Sequence, residues 1–176
     1  MRESGGSHII IAVHVDDQLI VGTNMREIEE IKAALSDRWG ITDLGPVKTF
    51  LGMDIKRDRA TRTLTISQAR YAADVLKRFG LQDCQPLRTP LDPSYSKLQK
   101  RLSSERACAL HYRSMLGSLP LMYLALCTRP DLSYVIGRLA VYSTDPGEQH
   151  ERALLRVFRY LKGTLSLPCL HQCLQS

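Results

Sequence analysis

The sequence predicts an α+β fold, and three observations point to it. Residues 8–22 and 48–67 are rich in β-branched and other apolar side chains around short polar turns, as β-hairpins are. Between and after these stretches, apolar residues recur at the three- and four-residue spacing of helices. With 176 residues and 44% hydrophobic side chains, the chain is long enough to fold around its own core.

The first predicted element is a hairpin with an unusual turn. Two apolar runs, 8–15 and 18–22, flank the adjacent carboxylates of Asp16 and Asp17. Tight turns between strands favour Asn-Gly or Asp-Gly, because these residues tolerate positive φ. A double negative charge therefore indicates either a solvated acidic turn or a place where a positive group binds.

A helix follows the first hairpin. Asn24 and Glu27 have the spacing of a capping box, which predicts a helix start. The apolar positions continue on one face to Trp39, and Gly40 is a typical helix stop.

A second hairpin and a second helix come next. Residues 48–58 and 62–67 predict two strands around a polar turn at 59–62. Ser67 is the predicted cap of the next helix, and Gly80 its end.

The remaining chain is predicted to be irregular and then helical. Prolines and scattered polar residues in 81–104 predict an irregular crossing segment. Pro120 predicts a bend or break inside the first of the later helices, because proline lacks the backbone N–H donor. These helices are predicted over 107–126, 131–143 and 147–162.

Composition narrows the class of protein. The 24 Lys and Arg residues exceed the 18 Asp and Glu residues, giving a net charge of +6 that favours an anionic partner such as nucleic acid. The sequence shows no signal peptide and no apolar run of membrane-spanning length, so we expect an intracellular protein, cytoplasmic or nuclear, without membrane contact. The five cysteines form no CxxC pair, which argues against a disulfide framework or a zinc ribbon.

A basic stripe marks the last predicted helix. Arg152, Arg156 and Arg159 recur at helical spacing, with Lys162 close by. Such a stripe is suited to non-specific contact with the phosphates of nucleic acid, which is largely electrostatic. A merely solvated basic face is the more frequent meaning of this pattern.

Several stretches together resemble the reverse transcriptase of copia-like retrotransposons. They occur in the order of the family and with nearly its spacing, over about residues 9 to 165. Two aspartates in a turn are weak evidence alone, but the other stretches in register make chance a poor explanation. The matching stretches are VHVDDQLIVG, DLGPVKTFLGMDI, LTISQARYAADVLKRFGL, TPLD, YRSMLGSL, YLALCTRPDL and FRYLKGTL.

This resemblance implies a role for the acidic hairpin. In such polymerases, the aspartate pair of the palm helps to hold two Mg²⁺ ions, because hard cations take oxygen ligands. By resemblance, Asp16 and Asp17 are the catalytic metal ligands, Asp16 the stronger and Asp17 the supporting one. The partners implied are an RNA template and a DNA primer. The alternative remains an ordinary solvated acidic turn.

The resemblance also implies two positions near the primer. Phe50, Leu51 and Gly52 resemble the primer grip, with a plain amphipathic hairpin as the alternative. His14 occupies the place beside the primer terminus where the family usually has Tyr or Phe, which puts primer positioning in doubt.

We therefore expect the following organisation. Residues 1–66 form a partial palm with both hairpins, 67–106 a thumb-like helix and irregular segment, 107–165 a helical connection region, and 166–176 an unmatched tail. The third catalytic aspartate of the family lies upstream of the pair, so the expected protein is a polymerase fragment, truncated at both ends and inactive alone.

Two other interpretations remain open. The chain is alternatively a non-catalytic nucleic-acid-binding or assembly remnant of a retrotransposon, or the product of a degenerate reading frame that barely folds.

The strand with Ile9, Ile10, Ile11 and Val13 would leave an unpaired edge, which predicts self-association.

Overall fold

A computed structural model describes residues 8–92, 98, 108–116, 120–167 and 169–172 of the chain. Small antiparallel sheets and several helices confirm the predicted α+β class. The chain divides into two compact units, Met1–Leu51 and Gly52–Ser176. Most of the second predicted hairpin thus lies in the second unit, while its residues 48–51 lie in the first, and the predicted domain boundaries stay predictions. No helix in the described part of the chain is long and apolar enough to span a membrane.

The first unit contains a hairpin, a helix and a short strand. These are β1 (Ile9–His14), β2 (Asp17–Gly22), α1 (Met25–Trp39) and β3 (Thr49–Phe50). α1 packs against β2, where a side chain on Gly22 would lie only 3.0 Å from Ile9 and 3.4 Å from Ile28. Glycine at this position therefore allows the hairpin and the helix to approach closely.

The ends of α1 confirm the sequence prediction. The Asn24 side chain accepts a hydrogen bond from the Arg26 amide at 3.0 Å, and its amide group donates to Glu27 at 2.9 Å. Gly40 adopts φ 64° and donates its N–H to Ser36 at 2.8 Å. Both ends of α1 thus satisfy backbone groups that a helix would otherwise leave unpaired.

The second unit begins with an antiparallel sheet of three strands. They are β4 (Met53–Asp58), β5 (Thr63–Ser67) and β6 (Cys169–Gln172), and β5 lies between the other two. The turn at 59–62 is confirmed. The single predicted strand 48–58 is wrong, because Leu51 and Gly52 have φ 49° and 74° and interrupt it. Strand β6 was not predicted.

Six helices are described, of which five lie in the second unit with a 3₁₀ turn at Pro130–Leu132. The predicted 107–126 helix is described as two segments, α3 and α4, with 117–119 outside the described residues. The predicted 131–143 helix is shorter at both ends, since α5 covers only Ser133–Ala140, and the predicted 147–162 helix is confirmed to within one residue at each end. The second-unit helices are α2 (Ala69–Arg78), α3 (Ala109–Leu116), α4 (Pro120–Cys127), α5 (Ser133–Ala140) and α6 (Glu148–Gly163).

The start of α2 also corrects a prediction. Gln68, not Ser67, occupies the N-cap position of this helix, although its side chain makes no capping hydrogen bond, and Ser67 is the last residue of strand β5. The Ser67 hydroxyl still accepts a hydrogen bond from the Ala69 amide at 3.2 Å. The residues between 81 and 92 contain no helix or strand, as predicted, and most of 93–104 lies outside the described residues.

The core of the second unit forms around α6. Leu154, Val157, Phe158 and Leu161 on one face of this helix are fully buried. Phe158 meets the ring of Phe79, after α2, edge to face at 5.4 Å. Burying each such side chain contributes about 1.5–3 kcal/mol, so this face of α6 supplies much of the unit's stability.

A buried arginine joins two of the sequence motifs. Arg129, only 5% exposed, donates to both carboxylate oxygens of Asp131, at 3.0 and 2.8 Å. Its other donors reach the Thr164 carbonyl at 3.1 Å and hydroxyl at 2.7 Å, after the end of α6. Tyr160 also donates to Asp131, at 2.7 Å. This network fixes α6 against the chain that precedes α5.

The network also sets the ionisation of its carboxylate. Burial of Asp131 opposes its ionisation, but the hydrogen bonds donated by Arg129 and Tyr160 outweigh burial, and its pKa lies below the ordinary value. A charged Asp131 beside a buried guanidinium keeps the pair neutral overall, which a buried arginine requires.

The irregular segment 82–92 lies along α6. The Leu87 amide donates to the Arg159 carbonyl at 3.1 Å, and Lys162 donates to the Gln82 carbonyl. A side chain on Gly163 would lie 2.9 Å from the Leu87 carbonyl and 3.1 Å from Pro86. Glycine at position 163 is therefore required for this close approach.

We expect Gly163→Ala to destabilise the protein by about 1–3 kcal/mol, because the added methyl group collides with backbone that must move. Gly137→Ala is the matched control, since it lies inside α5 with nothing within 4 Å of the added atom. The control should stabilise by up to about 1 kcal/mol through helix propensity. Urea denaturation of the two variants measures both changes, and equal stabilities would contradict the close packing of 82–92 on α6.

Candidate functional site

The acidic hairpin turns one residue earlier than predicted. Strand pairing runs to His14 opposite Asp17, so the turn consists of Val15 and Asp16 alone. Asp17 is the first residue of β2, and not a turn residue as the sequence had suggested. The two carboxylates are therefore held at the tip of a regular antiparallel ladder.

Val15 has an unusual backbone conformation for its residue type. Its φ of 52° lies in the left-handed region, which β-branched residues rarely adopt. Its side chain is 83% exposed, so burial does not explain the choice of an apolar residue. The turn therefore carries local strain at the residue that precedes Asp16.

The two carboxylates are open to solvent. Asp16 and Asp17 are both exposed, and neither makes an ion pair with any other described residue. Carboxylate oxygens are suitable ligands for a hard divalent cation. Within the described residues, however, no three His, Cys, Asp or Glu side chains form a cluster that could hold a metal ion. This donor set fits part of a metal site and is incomplete by itself.

Asp54, another strand carboxylate, is already engaged. Arg70 donates to both of its oxygens, one of them at 2.9 Å. The pair raises the pKa of Arg70 above its ordinary value. Asp54 therefore serves to join β4 to the start of α2.

The positions implied near the primer lie in simple local structures. His14 ends β1, is exposed and pairs with Asp17 across the ladder. Phe50 ends β3, and Leu51 and Gly52 form a tight turn with both φ values positive. Their roles at a primer stay predictions.

The basic side chains of α6 contact protein as well as solvent. Arg152 pairs with Glu148 one turn earlier at 2.6 Å and stays 73% exposed. Arg159 donates to the Gln85 carbonyl at 2.8 Å, and Lys162 donates to the Gln82 carbonyl. The sequence predicts a basic stripe that is either solvated or in contact with phosphates. In the structure, the 82–92 segment covers part of this face.

The contacts of Arg156 show the structural role of the TPLD stretch. Its guanidinium donates to the Thr89 hydroxyl at 2.8 Å and pairs with Asp92 at 3.5 Å. Thr89 and Asp92 are the first and last residues of the TPLD stretch. The motif therefore provides the acceptors that hold the 82–92 segment on α6.

The comparisons with known proteins decide the family. A family model described as reverse transcriptase (RNA-dependent DNA polymerase) matches residues 1–93, more than half of the 176 residues. The chain belongs to the reverse transcriptase family. Its similarity to two transposon Pol polyproteins, TNT 1-94 and RE2, confirms that it is a copia-like reverse transcriptase region.

The chain is 37% identical over 169 residues to the retrovirus-related Pol polyprotein from transposon TNT 1-94 of Nicotiana tabacum, covering 93% of this chain and 12% of the relative. It is 38% identical over 162 residues to the corresponding polyprotein from transposon RE2 of Arabidopsis thaliana, covering 92% of this chain and 11% of the relative. It is also 35% identical over 156 residues to an uncharacterized mitochondrial protein of Arabidopsis thaliana, covering 88% of this chain and 62% of the relative. No solved structure matches.

The buried Arg129 network and the packing of the 82–92 segment on α6 leave no local signal in the sequence of this reverse transcriptase region. Arg129 was part of a quoted motif, but its contact with Thr164 joins residues 35 positions apart and leaves no periodic signal. Leu81, Cys84 and Leu87, which lie against the basic face of α6, belong to a segment without any pattern.

We expect Val15→Gly to stabilise the hairpin of this reverse transcriptase region by about 1 kcal/mol, because glycine adopts positive φ without strain. Val13→Gly is the control, since Val13 is also exposed but lies in the extended β1 strand. The control should weaken the hairpin by about 0.5–1 kcal/mol. Hydrogen exchange of the β1 and β2 amides measures both effects, and faster exchange in Val15→Gly would show that the turn is unstrained.

Proposed function

We propose that this chain is the part of a copia-like reverse transcriptase that carries the metal-binding aspartates, Asp16 and Asp17. The observation that carries the proposal is their exposure, free of ion pairs within the described structure, at the tip of a hairpin inside the region that the family model matches. An acidic turn with only a structural role would gain nothing from two adjacent charges that repel each other.

Reverse transcriptases use divalent metal ions, and we propose Mg²⁺ for the complete enzyme. When bound, the ions would supply charge stabilisation for nucleotidyl transfer. The chain's own contribution is two neighbouring carboxylates whose backbone positions are set by the β1–β2 ladder. Since the described residues provide no third ligand in a cluster, the remaining ligands would come from another part of the polyprotein. The coverage of the two transposon polyproteins, 12% and 11%, is consistent with this division.

We expect this chain alone to extend no primer on an RNA template, with Mg²⁺ or Mn²⁺, because its ligand set is incomplete. Weak Mn²⁺ binding, measured from the loss of the free-ion signal in electron paramagnetic resonance, should fall in Asp16→Asn and Asp17→Asn. Asp37→Asn is the matched control, since it removes an exposed carboxylate from α1 in the same unit.

Equal Mn²⁺ binding by wild type and Asp16→Asn would contradict the metal-ligand role. Primer extension that disappears in Asp16→Asn would confirm the site and show that the claim of inactivity is wrong. Extension that persists in this variant would come from another site or another polymerase.

We further propose RNA template and DNA primer as partners of the complete enzyme. Within this chain, the contact would come from Phe50, Leu51 and Gly52 at the primer, beside His14, and from the basic face of α6. That face is Arg152, Arg156, Arg159 and Lys162. The net charge of +6 supports an electrostatic contact that weakens as salt is added.

A non-catalytic role in nucleic-acid binding or assembly is the second candidate. It is favoured by the similarity to a mitochondrial protein of which the chain covers 62%, far more than of the transposon polyproteins. Related sequence therefore occurs in a much shorter protein. Salt-sensitive nucleic-acid binding combined with unchanged Mn²⁺ binding in Asp16→Asn would favour this role over the catalytic one.

Self-association through β1 is a further proposal. In its two-stranded sheet, β1 pairs with β2 along one edge, and Ile10 and Val13 are 67% and 64% exposed. An open, uncharged β-branched edge is a template for pairing with a second chain.

We expect Ile10→Lys to shift the protein toward monomer in light scattering, because a charge on the edge opposes pairing. Leu126→Lys is the control, as it places the same charge at a 77% exposed apolar position on α4. A wild-type protein that is a monodisperse monomer would contradict the proposal. Dispersal by Leu126→Lys alone would assign association to the helical surface instead.

A further inference from the structure

A cleft lies between α6 and the segment that crosses it. Its volume is about 390 Å³, within the range of pockets that bind small ligands. Leucines and a cysteine form its apolar side, and arginines of α6 form its basic side. The lining residues are Leu81, Cys84, Leu87, Arg152, Leu155, Arg156 and Arg159.

The walls of this cleft, which we call the α6 cleft, are fixed by hydrogen bonds. The Leu87 amide donates to the Arg159 carbonyl at 3.1 Å, and the Arg159 Nε donates to the Gln85 carbonyl at 2.8 Å. Arg156 holds Thr89 at 2.8 Å. A ligand would therefore meet arginines whose positions are already determined, which lowers the entropy cost of binding.

The arginines retain donors that the protein does not use. The Nε of Arg156 is buried and has no hydrogen-bond partner in the described structure. The Nη groups of Arg159 and the Nε of Arg152 are likewise without a described hydrogen bond, and both residues line the cleft.

The charge of the cleft favours an anion. Glu148 pairs with Arg152 and Asp92 pairs with Arg156, whereas Arg159 makes no ion pair with a described acid. Positive charge therefore exceeds negative charge at the cleft. Arginine forks match the oxygens of a phosphate group particularly well.

We infer that the α6 cleft binds a phosphate group of single-stranded nucleic acid. The arginines would take the phosphate oxygens, and Leu81, Leu87 and Leu155 would cover the apolar side of the adjoining nucleotide. This inference rests on the proposed nucleic-acid contact of the basic α6 face and places it at one defined cleft. If binding depended on general surface charge, every exposed cation would contribute equally to the affinity. If it occurs in the cleft, the arginines that line the cleft contribute most.

Paired variants separate the cleft from general electrostatics. Arg156→Lys keeps the charge and a donor for Thr89 but removes the planar guanidinium fork, and Arg138→Lys is its control on α5, away from the cleft lining. We expect the first to weaken binding of a fluorescent oligothymidylate about tenfold, the order of one lost charged hydrogen bond, and the second to leave it unchanged. Arg152→Gln against Arg138→Gln repeats the comparison at exposed positions, where the fold does not depend on the side chain.

Alkylation of cysteines locates the ligand directly. Cys84 lines the cleft, whereas Cys127 is an exposed cysteine of α4 outside the lining. With saturating oligothymidylate, mass spectrometry should show slower alkylation of Cys84 and an unchanged rate at Cys127. Inorganic phosphate at high concentration should compete with the oligonucleotide and restore part of the Cys84 reaction.

The outcomes distinguish the inference from the proposed function. Oligonucleotide binding without protection of Cys84, and with equal affinities in each pair of variants, would overturn the cleft while nucleic-acid binding remains. Protection of Cys84 by inorganic phosphate but not by oligonucleotide would overturn the nucleic-acid ligand. Absence of any binding would overturn the inference, and the Mn²⁺ measurement on Asp16→Asn would still decide the catalytic proposal independently.

Discussion

The guanidinium of Arg129 is buried, and its charge and donors must all be satisfied inside the protein. Asp131 supplies the charge, while Thr164 supplies acceptors beyond the last turn of α6. Leaving such a group unpaired would cost about 3–5 kcal/mol, so the chain before α5 and the end of α6 are strongly held together. The direction of α6 then determines where its basic face lies, and with it the path of the 82–92 segment.

The two faces of α6 therefore have different tasks. Leu154, Phe158 and Leu161 fill the core of the second unit, while Arg156 and Arg159 hold the crossing segment. A helix used on both faces tolerates little rotation about its axis. Because α6 cannot rotate, Arg156 and Arg159 stay on the face that the segment crosses. There they use some donors to hold the segment, and other donors remain unused at the α6 cleft.

Local signals in the sequence predicted much of this structure. Asn24 and Gly40 mark the ends of α1 because capping depends on residues within one turn, and the apolar periodicity of α6 predicts that helix because it is equally local. The Val15–Asp16 turn was not predicted, because a β-branched residue is disfavoured at positive φ and only the pairing of the whole ladder imposes it. The acidic pair itself was identified, but its role depends on ligands that the sequence pattern does not place.

The remaining errors have a common cause. Helical spacing shows that Arg156 and Arg159 share a face, but not that another part of the chain crosses it. The contacts involved join residues 67 and 74 positions apart, and no periodicity in either segment indicates the other. Strand β6 was missed for the same reason, since a four-residue strand is recognisable only beside its partner.

The pairing of β5 with β6 has a consequence for the order of events during synthesis. Thr63 lies opposite Gln172, a separation of 172 − 63 = 109 positions, so nearly the whole second unit must emerge from the ribosome before this ladder can form. Contacts of such long range form slowly because loop closure must precede them. During translation, β5 therefore has only β4 as a neighbour until Cys169–Gln172 emerges and pairs with its other edge.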